Sequence, residues 1–479
     1  MIWIGLGFLF SWLLIPWSVA LFLRYKKTAS GRFELQSVGR DLWLYRGHFS
    51  NSVVAKFPSC FLVVDTQVSP QAAQKMIDEI KKIAQLPIKY VVNTHHHGDH
   101  TGGNGEFNDA VIISSKKTKD WCVKKDQHRS EYADNFGLIY SEINEITLPN
   151  QTFEGTHTLT IDGEAVELFH LGAGETEDAI VVHFPTRKAV AVGDSVVVKD
   201  FPFMGAPIHD EGLKDDGEWC GLLENIALLK PDILLPGHGP FLKGNQKIQG
   251  RLLLLRDLFR DLFLATKKAL SRTDSIPQVL QLVKADLTSY RSHSDLQDNI
   301  LGFEFGIYKA LNGILPDREG KGWWLDLKPS VVTQDPLVDK LINQENYGEL
   351  AFYYMSQTKR FKIKVEATEY GVLAQAAARR QLTKDPKDPN ALLVLGVYEA
   401  FSSVFLGQEN PLAIPRLEKV LSTKKFALNK KLIAAVMLIR TLQVHQGEWQ
   451  AFKTFFKLLP TPLNIVLWPV YPVIKEAIR

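Results

Sequence analysis

Residues 95–100 read His-His-His-Gly-Asp-His, two residues after the apolar run Tyr90-Val91-Val92 and directly before Thr101-Gly102-Gly103-Asn104. Side chains two apart on an extended chain share a face. His95 and His97 can therefore grip one metal ion. Asp99 and His100, just past the bend, can grip a second, and Gly98 permits the tight backbone this requires. His96 is expected to point away from its neighbours. A histidine tract can also be low-complexity sequence or an expression tag. Tags sit at termini and carry no internal Gly-Asp, and neither reading supplies an apolar strand before the tract. The chain must therefore place the end of a strand on a metal-binding loop.

The flanking pattern is that of an α/β domain. Strands are expected at 42–45, 52–54, 61–65 and 88–93, with an amphipathic helix at 70–84 whose Ala73, Ile77, Ile80, Ile83 and Ala84 share one face. Further on, 114–132 reads as a polar helix, and 145–160 and 164–170 as strands. Segments 179–184 and 189–192 read as strands around Pro185-Thr186-Arg187. A helix is expected at 216–229 and a buried strand at 232–235, ending in Pro236-Gly237-His238-Gly239-Pro240. After Lys243 the character becomes helical, starting with 248–270. Segment 370–456 resembles stacked helical hairpins. A tetratricopeptide-like array and an irregular bundle both fit it, since no 34-residue period repeats cleanly.

With 479 residues, two or three domains are expected. The division read here is an N-terminal anchor (1–27), an α/β domain (28–246), a helical, dimerisation-like region (247–345) and a helical, tetratricopeptide-like domain (346–479). A net charge of +3 and the lack of a basic stripe give no sign of nucleic-acid binding. Cys60, Cys122 and Cys220 are too few and too scattered for a disulfide framework. Met1 to Leu23 holds no charged side chain, and Arg24, Lys26 and Lys27 follow. At 1.5 Å per residue this run reaches about 35 Å, enough to cross a bilayer. Trp3, Trp12, Trp17 and Tyr25 suit the interfaces. The triplet Ser18-Val19-Ala20 would also serve a cleaved signal peptide, but no basic n-region precedes the run. A retained single-pass anchor is expected, with the catalytic body on the cytoplasmic side by the basic flank. The apolar tail 463–474 is too short, and too interrupted by Pro469 and Pro472, to span a membrane.

Three further stretches can supply ligands: His170-Leu171-Gly172-Ala173-Gly174-Glu175-Thr176-Glu177-Asp178, then Val192-Gly193-Asp194, then Pro236-Gly237-His238. With the HxHxDH hexapeptide and in this order, they resemble the metallo-β-lactamase superfamily over about residues 33–246. The resemblance implies an αββα sandwich and two Zn²⁺ per chain. Asp194 would be the carboxylate bridging both metals, and His238 would complete the second. The expected ligand set is His95, His97, Asp99, His100, Glu175, Asp194 and His238. Glu175 stands where the family usually has histidine, and Gly-Glu-Thr-x-Asp is similar to the alkyl sulfatase branch. Gly322-Trp323-Trp324-Leu325-Asp326-Leu327-Lys328-Pro329 looks similar to a motif in that branch's dimerisation region, which implies a homodimer. Three carboxylates against two divalent ions leave a net +1, so Mn²⁺ or Fe²⁺ would be tolerated better than at a His-richer centre. His170 is the alternative third ligand. Glu177 and Asp178 read as groups that orient a ligand or face solvent.

A hydroxide held between two such metals would attack esters, thioesters, lactams or sulfate esters alike. The sulfatase branch carries arginines after the bridging carboxylate, suited to a sulfate oxyanion. In Phe203-Met204-Gly205-Ala206-Pro207-Ile208-His209-Asp210, Met204 and His209 stand in their place. Asp99 and His209 are the candidate catalytic residues, His209 as proton donor to a leaving group or as a plain loop histidine. The expected function is a membrane-tethered hydrolase of a small, apolar substrate. The competing class is a scaffold whose helices at 346–479 bind a protein partner.

Overall fold

A computed structural model describes residues 33–47, 50–127, 147–199, 216–273, 275–291, 335–358, 364–406, 412–424 and 426–445, with Ile307 and Ala310. The first seven strands form one sheet in sequence order: β1 (Glu34–Gly39), β2 (Leu42–Arg46), β3 (Asn51–Lys56), β4 (Phe61–Val64), β5 (Ile88–Val92), β6 (Val111–Ser115) and β7 (Gln151–Phe153). Pairing is antiparallel from β1 to β4 and parallel from β4 to β7. The next six form a second sheet: β8 (Thr156–Ile161), β9 (Glu164–Phe169), β10 (Val181–Phe184), β11 (Ala189–Gly193), β12 (Ile233–Pro236) and β13 (Leu242–Lys243). Its order is β13-β12-β11-β10-β9-β8, with β11 and β12 parallel.

Successive side chains of a strand face opposite ways, and both sheets use this to bury two layers. Leu62 and Val64 of β4 meet Leu168, Val182 and Ala191 between the sheets. Phe61 and Val63 turn outward onto helix α1 (Pro70–Ile83), whose Ala73, Met76, Ile77 and Ile80 cover that face. Ser69 caps α1, its Oγ accepting from Ala72 N at 3.2 Å, and Pro70 occupies the first turn, where no backbone donor is needed. Helices α2 (Gly98–Thr101) and α3 (Lys116–Gln127) follow β5 and β6. On the second sheet, Val181, Val190 and Leu234 pack outward against Trp219, Leu222 and Ile226 of α4 (Asp216–Leu228). Ile248, Leu252 and Leu255 of α5 (Asn245–Leu270) join the same core. The layers are thus helix, sheet, sheet, helix.

One polar clasp ties the two sheets together at an edge. The Arg187 guanidinium donates to both Glu164 carboxylate oxygens at 2.7 and 3.1 Å and to the carbonyls of Asp41 at 2.7 Å and Lys56 at 3.0 Å. It also lies 4.4 Å from the centre of the Phe57 ring.

The span 145–160, expected as one strand, is corrected by the structure. It contains two strands, β7 in one sheet and β8 in the other, separated at Glu154-Gly155. Gly155 has φ +68°, a turn that L side chains resist, and here the chain crosses between sheets. The helix expected from 114 begins at Lys116, because Ser114 and Ser115 close β6.

Beyond α5 the described residues are helical: α6 (Ile276–Asp286), α7 (Thr288–Arg291), α8 (Pro336–Asn343), α9 (Tyr347–Gln357), α10 (Lys364–Lys384), α11 (Pro389–Leu406), α12 (Ala413–Ser422) and α13 (Leu428–His445). Helices α8 to α11 share a core of Leu350, Tyr354, Tyr370, Leu373 and Val394, and α11 to α13 one of Leu393, Leu417, Val420 and Leu438. Among the described residues no helix is long and apolar enough to cross a membrane. The expected anchor at 1–23, the stretch at 322–329, and Met204 and His209 lie outside the described residues.

Candidate metal centre

The parallel strands β4, β5, β11 and β12 end at one rim of the sandwich, and each delivers polar side chains there. The chain leaves β5 through Asn93 and Thr94 into His95–His97, then turns into α2, which carries Asp99 and His100. Asp194 follows β11, His238 follows β12, and Glu175 sits in the β9–β10 loop. Asn51 of β3 holds the His238 loop, donating from Nδ2 to the carbonyls of Pro236 at 3.0 Å and Gly239 at 2.9 Å.

All seven residues expected from the sequence as ligands are brought together, in two groups that share Asp194. One holds His95, His97, Glu175 and Asp194, the other Asp99, His100, Asp194 and His238, and each group offers ligand atoms within 4.8 Å of one another. In the second group, His238 Nε2 lies 3.1 Å from both Asp99 Oδ2 and Asp194 Oδ2. His100 Nε2 lies 3.2 Å from Asp99 Oδ2 and 3.3 Å from Asp194 Oδ1. In the first, Glu175 Oε2 is 3.3 Å from His97 Nδ1 and 3.7 Å from His95 Nε2. Two donors bound to one tetrahedral zinc at about 2.0–2.1 Å stand about 3.3 Å apart. His95 Nε2, Asp99 Oδ2, His100 Nε2 and Asp194 Oδ1 are buried and make no hydrogen bond of good geometry. Buried nitrogen and carboxylate donors aimed at common points fit divalent cations.

The hydrogen bonds behind the ligands set their tautomers. Buried Asp65, at the end of β4, accepts from Thr94 N and Thr94 Oγ1, both at 2.8 Å, and from His100 Nδ1 at 2.9 Å. With its proton committed to Asp65, the Thr94 hydroxyl accepts from His95 Nδ1 at 3.0 Å. When neutral, as a bound cation requires, both histidines thereby present Nε2 as the lone-pair atom facing the cluster, the usual second layer of a metal site. Below, Asn93 and Asn104 exchange hydrogen bonds of 3.0 Å through their side-chain amides, and Asn93 Nδ2 also donates to the His100 carbonyl at 3.2 Å. Gly237 is required at the centre, because a Cβ there would lie 2.1 Å from Asp194 Oδ1 and 2.8 Å from His100 Cε1.

Burial disfavours charge on His95, Asp99, His100, Asp194 and His238, and their pairings work with or against it. Burial, with His100 and His97 close by, pushes the His95 pKa well below the imidazole range. For His238 burial is outweighed by Asp194 and Asp99, which hold it up to about 10. Asp99 is held well below the carboxylate range against its burial, chiefly by His100.

The remaining sequence candidates fall outside the cluster. His96 turns away, as expected, with Nδ1 2.8 Å from Asp178 Oδ1 and its ring stacked on Trp121 at 5.1 Å. His170, the alternative ligand, lies with Nε2 2.8 Å from the Glu177 carbonyl. Glu177 accepts from Trp121 Nε1 at 2.7 Å. Asp65, Thr94, Asn93 and Asn104 were missed as site residues. A signal was present, since Asp65 places a charge directly after the apolar run Phe61–Val64.

A family model described as the metallo-beta-lactamase superfamily matches residues 45–238. A linear primary-alkylsulfatase of a Pseudomonas species is 22% identical over 230 residues, covering 42% of this chain and 43% of that protein, so less than half of its length is matched. A type 2 metallo-beta-lactamase of Bacillus cereus is 24% identical over 226 residues, covering 44% of this chain and 79% of that protein. Among solved structures, a double mutant of a sec-alkyl sulfatase aligns with TM-score 0.48 and 14% identity, covering 86% of this chain and 66% of that one. A metallo-beta-lactamase from Pontibacter korlensis aligns with TM-score 0.36 and 20% identity over 46% of this chain and 98% of that one. The match of the family model, falling on the strands and loops that assemble the cluster, identifies residues 45–238 as a metallo-β-lactamase superfamily domain.

Proposed function

We propose that this chain is a metal-dependent hydrolase that binds two divalent cations, zinc by the donor set, at His95/His97/Glu175 and Asp99/His100/His238, with Asp194 common to both. The observation that carries this reading is the sharing of Asp194 between the two donor groups. Bound cations of this kind supply an acidified water and positive charge for a developing oxyanion. The chain's own residues hold the donors in place: Asp65 and Thr94 orient His100 and His95, and Asn51 holds the His238 loop. The named relatives, an alkylsulfatase and β-lactamases, support hydrolysis as the reaction type. The substrate class is an ester, thioester, lactam or sulfate ester. Met204 and His209, in place of the arginines of the sulfatase branch, weigh against the sulfate ester. His209 is proposed as proton donor to the leaving group. The division at 27, 246 and 345, and a membrane tether formed by the charge-free run 1–23, belong to the same reading.

The test is metal analysis joined to a hydrolase screen with lactam, thioester, phosphodiester, carboxylic ester and sulfate ester. The expected result is about two ions per chain, activity on at least one class, and loss of both an ion and the activity in Asp194→Ala. One ion or none in the unmutated protein would overturn the two-cation centre.

A further inference from the structure

Helix α13 has one face in the helical stack and one in solvent. Ala434, Leu438 and Leu442 are buried with Leu393, Leu417 and Val420. The outward face carries Leu428, Leu432, Ile433 and Val436, which are 78, 56, 37 and 45% exposed. At a spacing of four, five and eight residues from Leu428 they form one continuous stripe along the helix. Exposed apolar stripes of this kind mark interaction surfaces.

Charge selects the partner. From Lys419 to Gly447 the sequence contains no Asp or Glu but includes Lys419, Lys424, Lys425, Lys430, Lys431 and Arg440. The chain as a whole is nearly balanced, with 56 basic and 53 acidic residues. Lys430 is used internally, its Nζ donating to Asn390 Oδ1 at 2.6 Å and to Glu349 Oε1 at 3.2 Å. Lys424 is exposed just before the helix, and Lys431 is half-buried on it. The described charged side chains on α13 and just before it, Lys424, Lys430 and Lys431, are all basic. A second copy of the chain would bring like charge to this face. An anionic lipid leaflet meets both the apolar and the cationic requirement.

We propose that the outward face of α13 docks on an anionic membrane surface, with the helix lying in the plane of the interface and Leu428, Leu432 and Val436 at the headgroup boundary. This contact is separate from residues 1–23 and from the metal centre. The test uses the full chain carrying Val436→Cys, labelled with an environment-sensitive fluorophore. Unsubstituted protein labelled in parallel reports the background from native cysteines. The probes are vesicles of phosphatidylcholine alone and vesicles with about 30% phosphatidylglycerol. The label reports from α13 itself, and the same label on a chain lacking residues 1–27 separates this contact from insertion of the N-terminus. The expected result is a blue shift with the anionic vesicles only, weakened by salt. Lys424→Glu with Lys431→Glu, checked for an unchanged melting temperature, should raise the vesicle concentration needed at least about tenfold. Salt sensitivity of the unreversed protein tests the same point if that variant fails to fold. A label that stays water-like with both vesicles, or responds equally to both, overturns the proposal. So does a blue shift without lipid that grows with protein concentration, which would assign the face to a second copy.

Discussion

Replacing Asp65 with Asn tests whether the second layer of the centre works through a histidine tautomer. Three donors converge on this carboxylate: Thr94 N on Oδ1, and Thr94 Oγ1 and His100 Nδ1 on Oδ2, at 2.8, 2.8 and 2.9 Å. An amide accepts at one end only. The backbone N–H of Thr94 cannot turn, so the amide oxygen must take its place opposite that donor. The amide NH₂ then faces His100 Nδ1, which must give up its proton and carry it on Nε2. That nitrogen is the one facing Asp99 and Asp194 at 3.2 and 3.3 Å, so the group of His100 and His238 loses a lone pair. The same NH₂ donates to Thr94 Oγ1, whose proton then turns to His95 Nδ1, so His95 also carries its proton on Nε2 and the other group loses a lone pair. Disruption of such outer partners weakens metal binding about 10- to 100-fold, which is about 1.4 to 2.7 kcal/mol. The assay is titration of metal-depleted protein with zinc against a chromophoric chelator, resolving two steps. The expected outcome for Asp65→Asn is two steps, each weakened by about the stated factor. Two unchanged steps would refute the tautomer argument. Weakening of the His100 step alone would show that the Thr94 hydroxyl does not set the His95 tautomer.

Three other outcomes follow from the geometry. In metal-depleted protein, Asp194 and Asp99 overcome burial and hold the His238 pKa up to about 10, above its ordinary 6.5. That pairing stabilises the fold fully below pH 6.5 and is lost as pH rises through about 10. A cation competes with the same proton. The melting temperature in chelator should therefore fall over this interval while the gain on adding zinc widens, and a gain independent of pH would count against the assignment. Gly237→Ala forces a Cβ to within 2.1 Å of Asp194 Oδ1. It should cost about 1–3 kcal/mol by overpacking and lower the bound metal, and native metal content by elemental analysis would contradict this. Arg187→Lys keeps the charge but loses the fork that spans Glu164, Asp41 and Lys56. A loss of about 2 kcal/mol in urea unfolding is expected, and an unchanged midpoint would show that the clasp adds no stability.

Much of the α/β domain was legible because its signals are local. The apolar run of β4, the one-sided apolar face of α1 and the Ser69-Pro70 start are each written in a few adjacent residues. The crossing at Gly155 was not legible, because 151–153 and 156–161 are both strand-like and only sheet pairing tells that they belong to different layers. The choice between Glu175 and His170 was open in the sequence, and the structure places the Glu175 carboxylate beside His95 and His97 while His170 turns to a backbone carbonyl.

The sequence by itself determined the kinds of donor, their order along the chain and the superfamily they resemble, because ligand chemistry and the spacing of the hexapeptide are properties of neighbouring residues. Only the tertiary structure decided which donors share a point in space. Asp194 meets His238 because β11 and β12 run parallel and end together, and it meets His100 because β5 of the other sheet ends at the same rim. Asp65 reaches His100, 35 positions away in the chain, because β4 lies beside β5. Strand pairing, which no local pattern encodes, brings such distant residues within hydrogen-bonding reach.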